Sequence, residues 1–155
     1  MGSTSYTEPY KSRDHTERML KIIGANISTK GLLTTLNPLA KPLKNLQIKI
    51  PGDPSSAAFF AGAAALIPGS RIRINNILNN PTRNAFFLVL KEMGVGVNYL
   101  NKDIVNGEYV ADLEVYFRKL ISVQIKKQNI PNIIDELPML AILATQADGR
   151  TVIEG

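Results

Sequence analysis

The apolar positions of this chain recur with two periods, and the switches between them mark out its elements. Met19, Leu20, Ile22 and Ile23 recur at helical spacing behind Asp14, with Glu17 three residues on as a capping-box partner and Gly24 as the stop. A second helix is predicted from Asp53 as N-cap and Pro54 at the first helical position, through "SSAAFFAGAAALI" to Pro68-Gly69. Its body is small and apolar nearly all round, so burial on every side is expected. A third is predicted from Asn80-Pro81 through Phe86, Leu88, Val89, Leu90 and Met93 to Gly94. A fourth is predicted from at or near Asp135, through "LPMLAILATQA", to Asp148-Gly149.

Alternation or β-branched enrichment predicts strands at "LQIKI" (46–50), "SRIRINNI" (70–77), "ADLEVYF" (111–117) and "SVQIKK" (122–127). "VGVNYL" (95–100) and "RTVIEG" (150–155) are shorter candidates, and the polar run 101–109 reads as a hairpin loop. "NPLAKPLKNL" (37–46) reads as a connector, and "PGDP" (51–54) as a boundary between two structural units. The segments beginning at Asp53 and Asp135 echo each other: acid, Ala-containing apolar helix, Gly-containing turn, strand. With the elements between them the order is β-α-β-β-α-β, an α/β (α+β) class in which Ala-rich helices pack closely under sheets.

Composition narrows the chemistry. The 155 residues are enough for one ordinary domain, and 45% apolar with 20% charged residues is a globular balance. The longest apolar run, Ala57 to Ile67, is too short for a membrane span, and "MGSTSYTEPYKSRD" holds no signal-peptide core. The simplest expectation is a soluble cytoplasmic protein without membrane partners. With no cysteine and one histidine, His15, thiol chemistry and a His- or Cys-based metal site are set aside. The net charge of +5 is spread along the chain, with Arg118-Lys119 and Lys126-Lys127 its adjacent basic pairs. That dispersal favours a solvated basic surface or a small-anion site over nucleic acid.

"NIIDELPMLAILA" (132–144) sets two carboxylates, Asp135 and Glu136, at the entrance of an apolar helix. Read alone, Asp135 caps that helix as Asp53 caps the second, and Glu136 complements the helix dipole from its first turn. "GDPSS" lacks the glycines and lysine of a phosphate loop and reads as turn plus cap, and Arg83 in "NPTR" reads as structural.

Four segments together carry more: "EPYKSRDHTERML", "IPGDPSSAAFFAGAAALIPGS", "NNPTRNAFFLVLKEMGV" and "IIDELPMLAILATQADGRTVIEG". In this order and at these distances they resemble the 5-enolpyruvylshikimate-3-phosphate synthase family, the 3-phosphoshikimate 1-carboxyvinyltransferases, from about Thr7 to Gly155. The resemblance implies the fold of the enolpyruvyl transferases, an inside-out α/β barrel of β-α-β-β-α-β repeats, here incomplete and matching the central third. It implies that residues 1–50 end the shikimate-3-phosphate-binding domain, that 51–54 are the interdomain crossover, and that 55–155 form the first repeat of the second domain. The implied reaction moves the enolpyruvyl group of phosphoenolpyruvate to the 5-hydroxyl of shikimate 3-phosphate, in aromatic amino-acid biosynthesis, without cofactor or metal.

On the same resemblance Asp135 touches the shikimate hydroxyls as the proposed base, and Ser12 and Arg13 contact shikimate 3-phosphate. His15 stands where some relatives carry a tyrosine that reaches the substrate. A helix N-terminus lowers a carboxyl pKa while burial in a cleft raises it, so the protonation role of Asp135 stays open at this point. The family's phosphoenolpyruvate-binding segments fall outside the matched stretch, so these 155 residues alone are expected to be inactive. The expected partners are the two substrates and a complementing remainder of the same enzyme. A non-catalytic anion-binding module and an enolpyruvyl transferase for a nucleotide sugar remain as alternatives.

Overall fold

The computed structural model describes residues 2–154. It opens with three short strands, β1 (Thr4–Thr7), β2 (Ile27–Lys30) and β3 (Leu33–Leu36), in the antiparallel order β1-β3-β2. The hydrophobic pattern predicts none of them, because their side chains are largely exposed and only Thr34 is buried. Hydroxyl pairs lock the register instead: Ser5 Oγ lies 2.9 Å from Thr35 Oγ1, and Thr29 Oγ1 lies 3.0 Å from Thr34 Oγ1. Helix α1 (His15–Ile22) packs beside β2. It starts where expected but without the capping box, since Asp14 makes no side-chain cap bond. Glu17 instead accepts from the Tyr6 hydroxyl at 2.5 Å.

Residues 46–50, predicted as a strand, belong to no sheet. The alternation is real but finds no partner edge, and Ile50 is 80% exposed. Only Gly52, just beyond, bridges in parallel to Ile77, through Gly52 N to Asn76 O at 2.8 Å and Leu78 N to Gly52 O at 2.9 Å.

The larger unit follows: α2 (Pro54–Leu66), β4 (Arg71–Leu78), α3 (Ala85–Glu92), β5 (Gly96–Val105), β6 (Glu108–Tyr116), β7 (Gln124–Ile125), α4 (Leu137–Thr145) and β8 (Val152–Ile153). From β4 to β8 this is the expected β-α-β-β-α-β order with the two-residue β7 added, a mixed α/β fold. Gly155, the last residue of the final strand candidate, lies outside the described residues. Strands β4, β6 and β5 form an antiparallel sheet with β6 central, while β7 and β8 pair in parallel.

Asp112 in β6 anchors both flanking strands at their irregular points. It accepts from Asn76 N, Arg73 Nη2 and Asn101 Nδ2, each at 2.8 Å. Asn76 and Asn101 both have positive φ and sit where the pairing with β6 shifts register. The hairpin loop expected over 101–109 is instead strand on both sides of a two-residue turn, Asn106-Gly107, with φ of 50° and 73°. Asn-Gly supplies the left-handed pair that such a turn requires, and the polar residues before it merely face solvent on an edge strand.

The hydrophobic core begins at Ala57 and, among the described residues, takes nothing from residues 2–50. It joins α2, α3, α4 and the inner face of the β4-β6-β5 sheet around Ile77, Phe86, Leu90, Met93, Leu113 and Leu140. Helix α2 presents Ala57, Ala58, Ala61, Gly62, Ala64 and Ala65 inward, but Phe59 and Phe60 are 57% and 68% exposed. Burial on every side is therefore corrected: the small residues face the core and the two large ones face outward. At Gly62 a Cβ would stand 2.5 Å from Met139 Sδ, so glycine lets α4 approach this closely.

The last two helices begin later than expected. Before α3, Asn80 closes a turn of its own, accepting from Thr82 N at 2.9 Å, and Asn84 becomes the N-cap. Before α4, two 3-10 turns, Lys127–Asn132 and Ile134–Glu136, take up the chain, and the helix ends at Thr145 rather than Asp148. Among the described residues no helix is long and apolar enough to cross a membrane.

Candidate functional site

The segment from Glu8 to Asp14 has no regular structure and is fixed by side chains. Glu8 accepts from Ser12 Oγ at 2.6 Å and from Ser12 N at 3.4 Å, which turns the chain toward α1. Ser12 and Arg13 then line a cleft of about 840 Å³, between α1 and the β2-β3 hairpin, that reaches Gly107. Its wall carries Lys11, Arg13, Arg18 and Lys21 against Glu8, Asp14 and Glu17, a mixed field with a cationic excess of one.

Arg13 leaves this wall to form an ion pair with Asp135, 122 residues further along the chain. Two of the residues that the resemblance places on the substrate therefore meet. Both side chains are about half exposed, at 46% and 48%, so screening leaves the pair worth roughly 0–1 kcal/mol. Asp135 stands in the 3-10 turn directly ahead of α4 and makes no cap bond, so the pure capping reading fails. It does not itself line the 840 Å³ cleft; Arg13 connects it to that space.

Glu136, expected as a first-turn charge complementing the helix dipole, is buried at 5% exposure. Its carboxylate accepts from Ser55 Oγ at 2.5 Å, and Ser55 Oγ in turn accepts from Arg83 Nη2 at 2.9 Å. Arg83 Nη2 also reaches Asp53 Oδ1 at 3.0 Å, so one guanidinium joins the N-terminus of α2 to the entrance of α4. That accords with the structural reading of Arg83. Asp53 is the α2 cap as predicted, accepting from Ser55 N and Ser56 N at 3.3 and 2.8 Å. Burial pushes the Asp53 carboxyl up, but the Ser56 and Ser55 bonds and the Arg83 charge outweigh it and hold it low.

A second, more buried cluster lies behind Arg13, and sequence reasoning assigned it no role as a set. Asp14, turned inward rather than capping α1, accepts from Asn80 Nδ2 at 2.7 Å and stands 2.9 Å from Arg18 Nε. Burial raises the Asp14 carboxyl, yet the Arg18 and Asn80 bonds win and lower it on balance. Asn80 Nδ2 also donates to Glu108 Oε2 at 3.0 Å, and His15 Nδ1 lies 2.6 Å from Glu108 Oε1. Arg18 donates to Gly107 O at 2.9 Å and stacks 5.1 Å over the Tyr109 ring. The Asp14 carboxylate, 2.9 Å from Nε, leads the causes that push the Arg18 guanidinium up. One local signal was available: the Asn106-Gly107 turn places Glu108 at the base of a tight hairpin.

Set beside known proteins, the chain matches the family model described as EPSP synthase (3-phosphoshikimate 1-carboxyvinyltransferase) over residues 2–155. It is 49% identical over 157 residues to the 3-phosphoshikimate 1-carboxyvinyltransferase of Sulfurihydrogenibium sp., covering 99% of this chain and 36% of that protein. The Persephonella marina enzyme of the same name is 48% identical, with the same coverage. Among solved structures, EPSP synthase from Acinetobacter baumannii superposes with a TM-score of 0.90 at 39% identity, over 99% of this chain and 35% of that one. The enolpyruvyl transferase NikO from Streptomyces tendae, at 22% identity and a TM-score of 0.67, shares the fold. The chain belongs to the EPSP synthase (3-phosphoshikimate 1-carboxyvinyltransferase) family and spans about a third of the length of the relatives it matches.

Proposed function

We propose that this chain supplies the shikimate-3-phosphate side of an enolpyruvyl transfer completed by the rest of the enzyme. In this reading residues 1–50 close the shikimate-3-phosphate-binding domain, 51–54 cross between domains, and 55–155 open the second domain. The division is supported by a core that starts at Ala57 and by the single Gly52 bridge that ties the connector to β4.

The observation that carries the reading is the meeting of Arg13 and Asp135. A guanidinium offers paired donors to phosphate oxygens, and the Ser12 hydroxyl beside it adds one more bond when its single proton turns from Glu8 to the substrate. A doubly charged phosphate outcompetes a half-exposed carboxylate for that guanidinium, so substrate binding frees Asp135 for the 5-hydroxyl. Asp135 then accepts the hydroxyl proton as the oxygen bonds to C2 of phosphoenolpyruvate, whose C2=C3 π bond opens to take a proton at C3 from an acid supplied by the rest of the enzyme. In the collapse of the tetrahedral intermediate C3 gives up a proton, the C2=C3 bond re-forms and the C2–O bond to phosphate breaks, releasing phosphate. His15 can join the substrate only through Nε2, because Nδ1 is held by Glu108.

Several charge-assisted contacts are needed at once, and Ser12, Arg13 and Asp135 supply few of them, so the 155 residues alone turn over nothing measurable. A coupled phosphate-release assay with both substrates tests this: steady turnover by this chain alone overturns it. In a full-length enzyme containing these residues, Asp135→Ala lowers kcat by about 10²-fold or more, the range of a positioned acid–base group. An unchanged kcat removes Asp135 from the chemistry.

A further inference from the structure

Arg13 has no regular element to hold it, and Ser12 is fixed only by Glu8 next door. What aims Arg13 toward Asp135 is therefore the first turn of α1, which begins two residues on. That turn lacks its own side-chain cap. It is held from outside, by a carboxylate 93 residues away in sequence from His15.

We propose that Glu108 is a positioning residue for Arg13, acting through His15, Arg18 and Asn80; the inference rests on the substrate role assigned to Arg13 above. Glu108 is 6% exposed, and its carboxylate serves three residues from two segments, α1 and the turn before α3. Oε1 engages His15 at 2.6 Å, and Oε2 accepts from Asn80 at 3.0 Å and lies 3.7 Å from Arg18 Nε. Asn80, fully buried, passes the constraint to Asp14 at 2.7 Å, the residue bonded to Arg13 through the backbone. Arg18 adds a bond from the same helix to Gly107 O, next to Glu108, at 2.9 Å.

The arrangement ties three consecutive residues of one hairpin, Gly107, Glu108 and Tyr109, to His15 and Arg18 of α1, while Asp14 joins through Asn80. A buried acid with that many donors is costly to leave half-satisfied, so the cluster has one favourable geometry rather than several. Glu108 reaches neither Arg13 nor Asp135 directly, and its effect on substrate is wholly through the orientation of α1.

The test uses this chain with 15N-labelled arginine and follows the Arg13 side-chain Nε–H signal, which reports the Asp135 pair without any ligand. Arg13→Lys assigns the signal, and Asp135→Asn gives its position when the pair is broken. Glu108→Ala is expected to move the Arg13 signal to the Asp135→Asn position while the amide signals of Leu113 and Val115 stay in place. Glu108→Gln keeps the volume but sets an amide N–H against existing donors, and is expected to move the Arg13 signal part of the way. If Glu108→Ala does not fold, Glu108→Gln decides alone. An Arg13 signal unmoved in a folded Glu108 variant overturns the proposal.

Titration with shikimate 3-phosphate separates the two claims. If the unaltered chain binds, folded Glu108 variants lose about tenfold or more in affinity, the worth of one charge-assisted contact. Unchanged affinity also overturns the positioning role. If the unaltered chain shows no binding while the Arg13 signal still responds to Glu108, the substrate assignment fails and the positioning of Arg13 stands.

Discussion

Asp53→Ala isolates the physical link between the connector and the larger unit. The carboxylate accepts four bonds: from Ser55 N at 3.3 Å, from Ser56 N and Ser56 Oγ at 2.8 Å each, and from Arg83 Nη2 at 3.0 Å. Loss of such an N-cap costs about 1 kcal/mol, within a range of roughly 0.5–2. The ion pair with Arg83 adds about 0.5 kcal/mol after screening, because Asp53 is half exposed. Arg83 itself is only 12% exposed and keeps Ser55 Oγ as a partner, so no large desolvation cost is added. The total is about 1.5–2 kcal/mol, or a fall of roughly 3–8 °C in Tm for a chain of this size. Urea denaturation at neutral pH, followed by circular dichroism, reads this as a shifted midpoint at constant slope. Asp53→Asn keeps the cap and loses the charge, so it is expected within about 0.5 kcal/mol of the unaltered chain. If Asp53→Ala matched the unaltered chain, or Asp53→Asn were equally damaging, the capping account of α2 would be wrong.

Three further outcomes follow from the same contacts. Bonds from Arg73, Asn76 and Asn101 hold the Asp112 carboxyl down to about 2, and Asp14 and Asp53 are also lowered. Depressed folded-state values mean that the unfolded chain binds more protons, so stability is full above about pH 4 and falls as pH drops toward 2. Urea midpoints across that window give the slope, which Asp112→Asn is expected to flatten; an equal slope contradicts the assignment. The Tyr99 hydroxyl is buried without a partner, and burial pushes its phenol up, so Tyr99→Phe is expected to stabilise the chain by about 1 kcal/mol. A destabilised Tyr99→Phe would reveal a partner for that hydroxyl. The outward face of α2, with Phe59, Phe60 and Ile67 all more than half exposed, is expected to drive self-association. Sedimentation velocity reads it as a concentration-dependent shift that Phe60→Ser reduces; a monomer at every concentration refutes it.

What the sequence discloses here follows from where each signal is local. Asp53-Pro54 and Pro68-Gly69 bracket α2 because cap, first turn and stop are neighbours in the chain. Asp14 carries the same N-cap signal and misleads, because Asn80 and Arg18 compete for its carboxylate and win. Glu136 misleads for the same kind of reason, since its partner Ser55 lies 81 residues away. The strand pattern at 46–50 has no edge to pair with, while β1 to β3 pair through hydroxyls that a hydrophobic reading does not weigh. Arg13 and Asp135 carry no local sign of each other; only the resemblance named both, and the fold brings them into an ion pair. The Glu108 cluster leaves one local mark, the Asn106-Gly107 turn beside Glu108; its members come from α1, the turn before α3 and the turn end of the β5-β6 hairpin, which only the fold brings together.

The central claim is that two segments 122 residues apart form one anion-handling site. Its most direct test is a chemical-shift titration of this chain with shikimate 3-phosphate. The account predicts saturable changes that appear together at Ser12, Arg13 and residues 133–137, and that Arg13→Ala abolishes at both places. Changes confined to one segment, or spread over the surface without saturation, would contradict it.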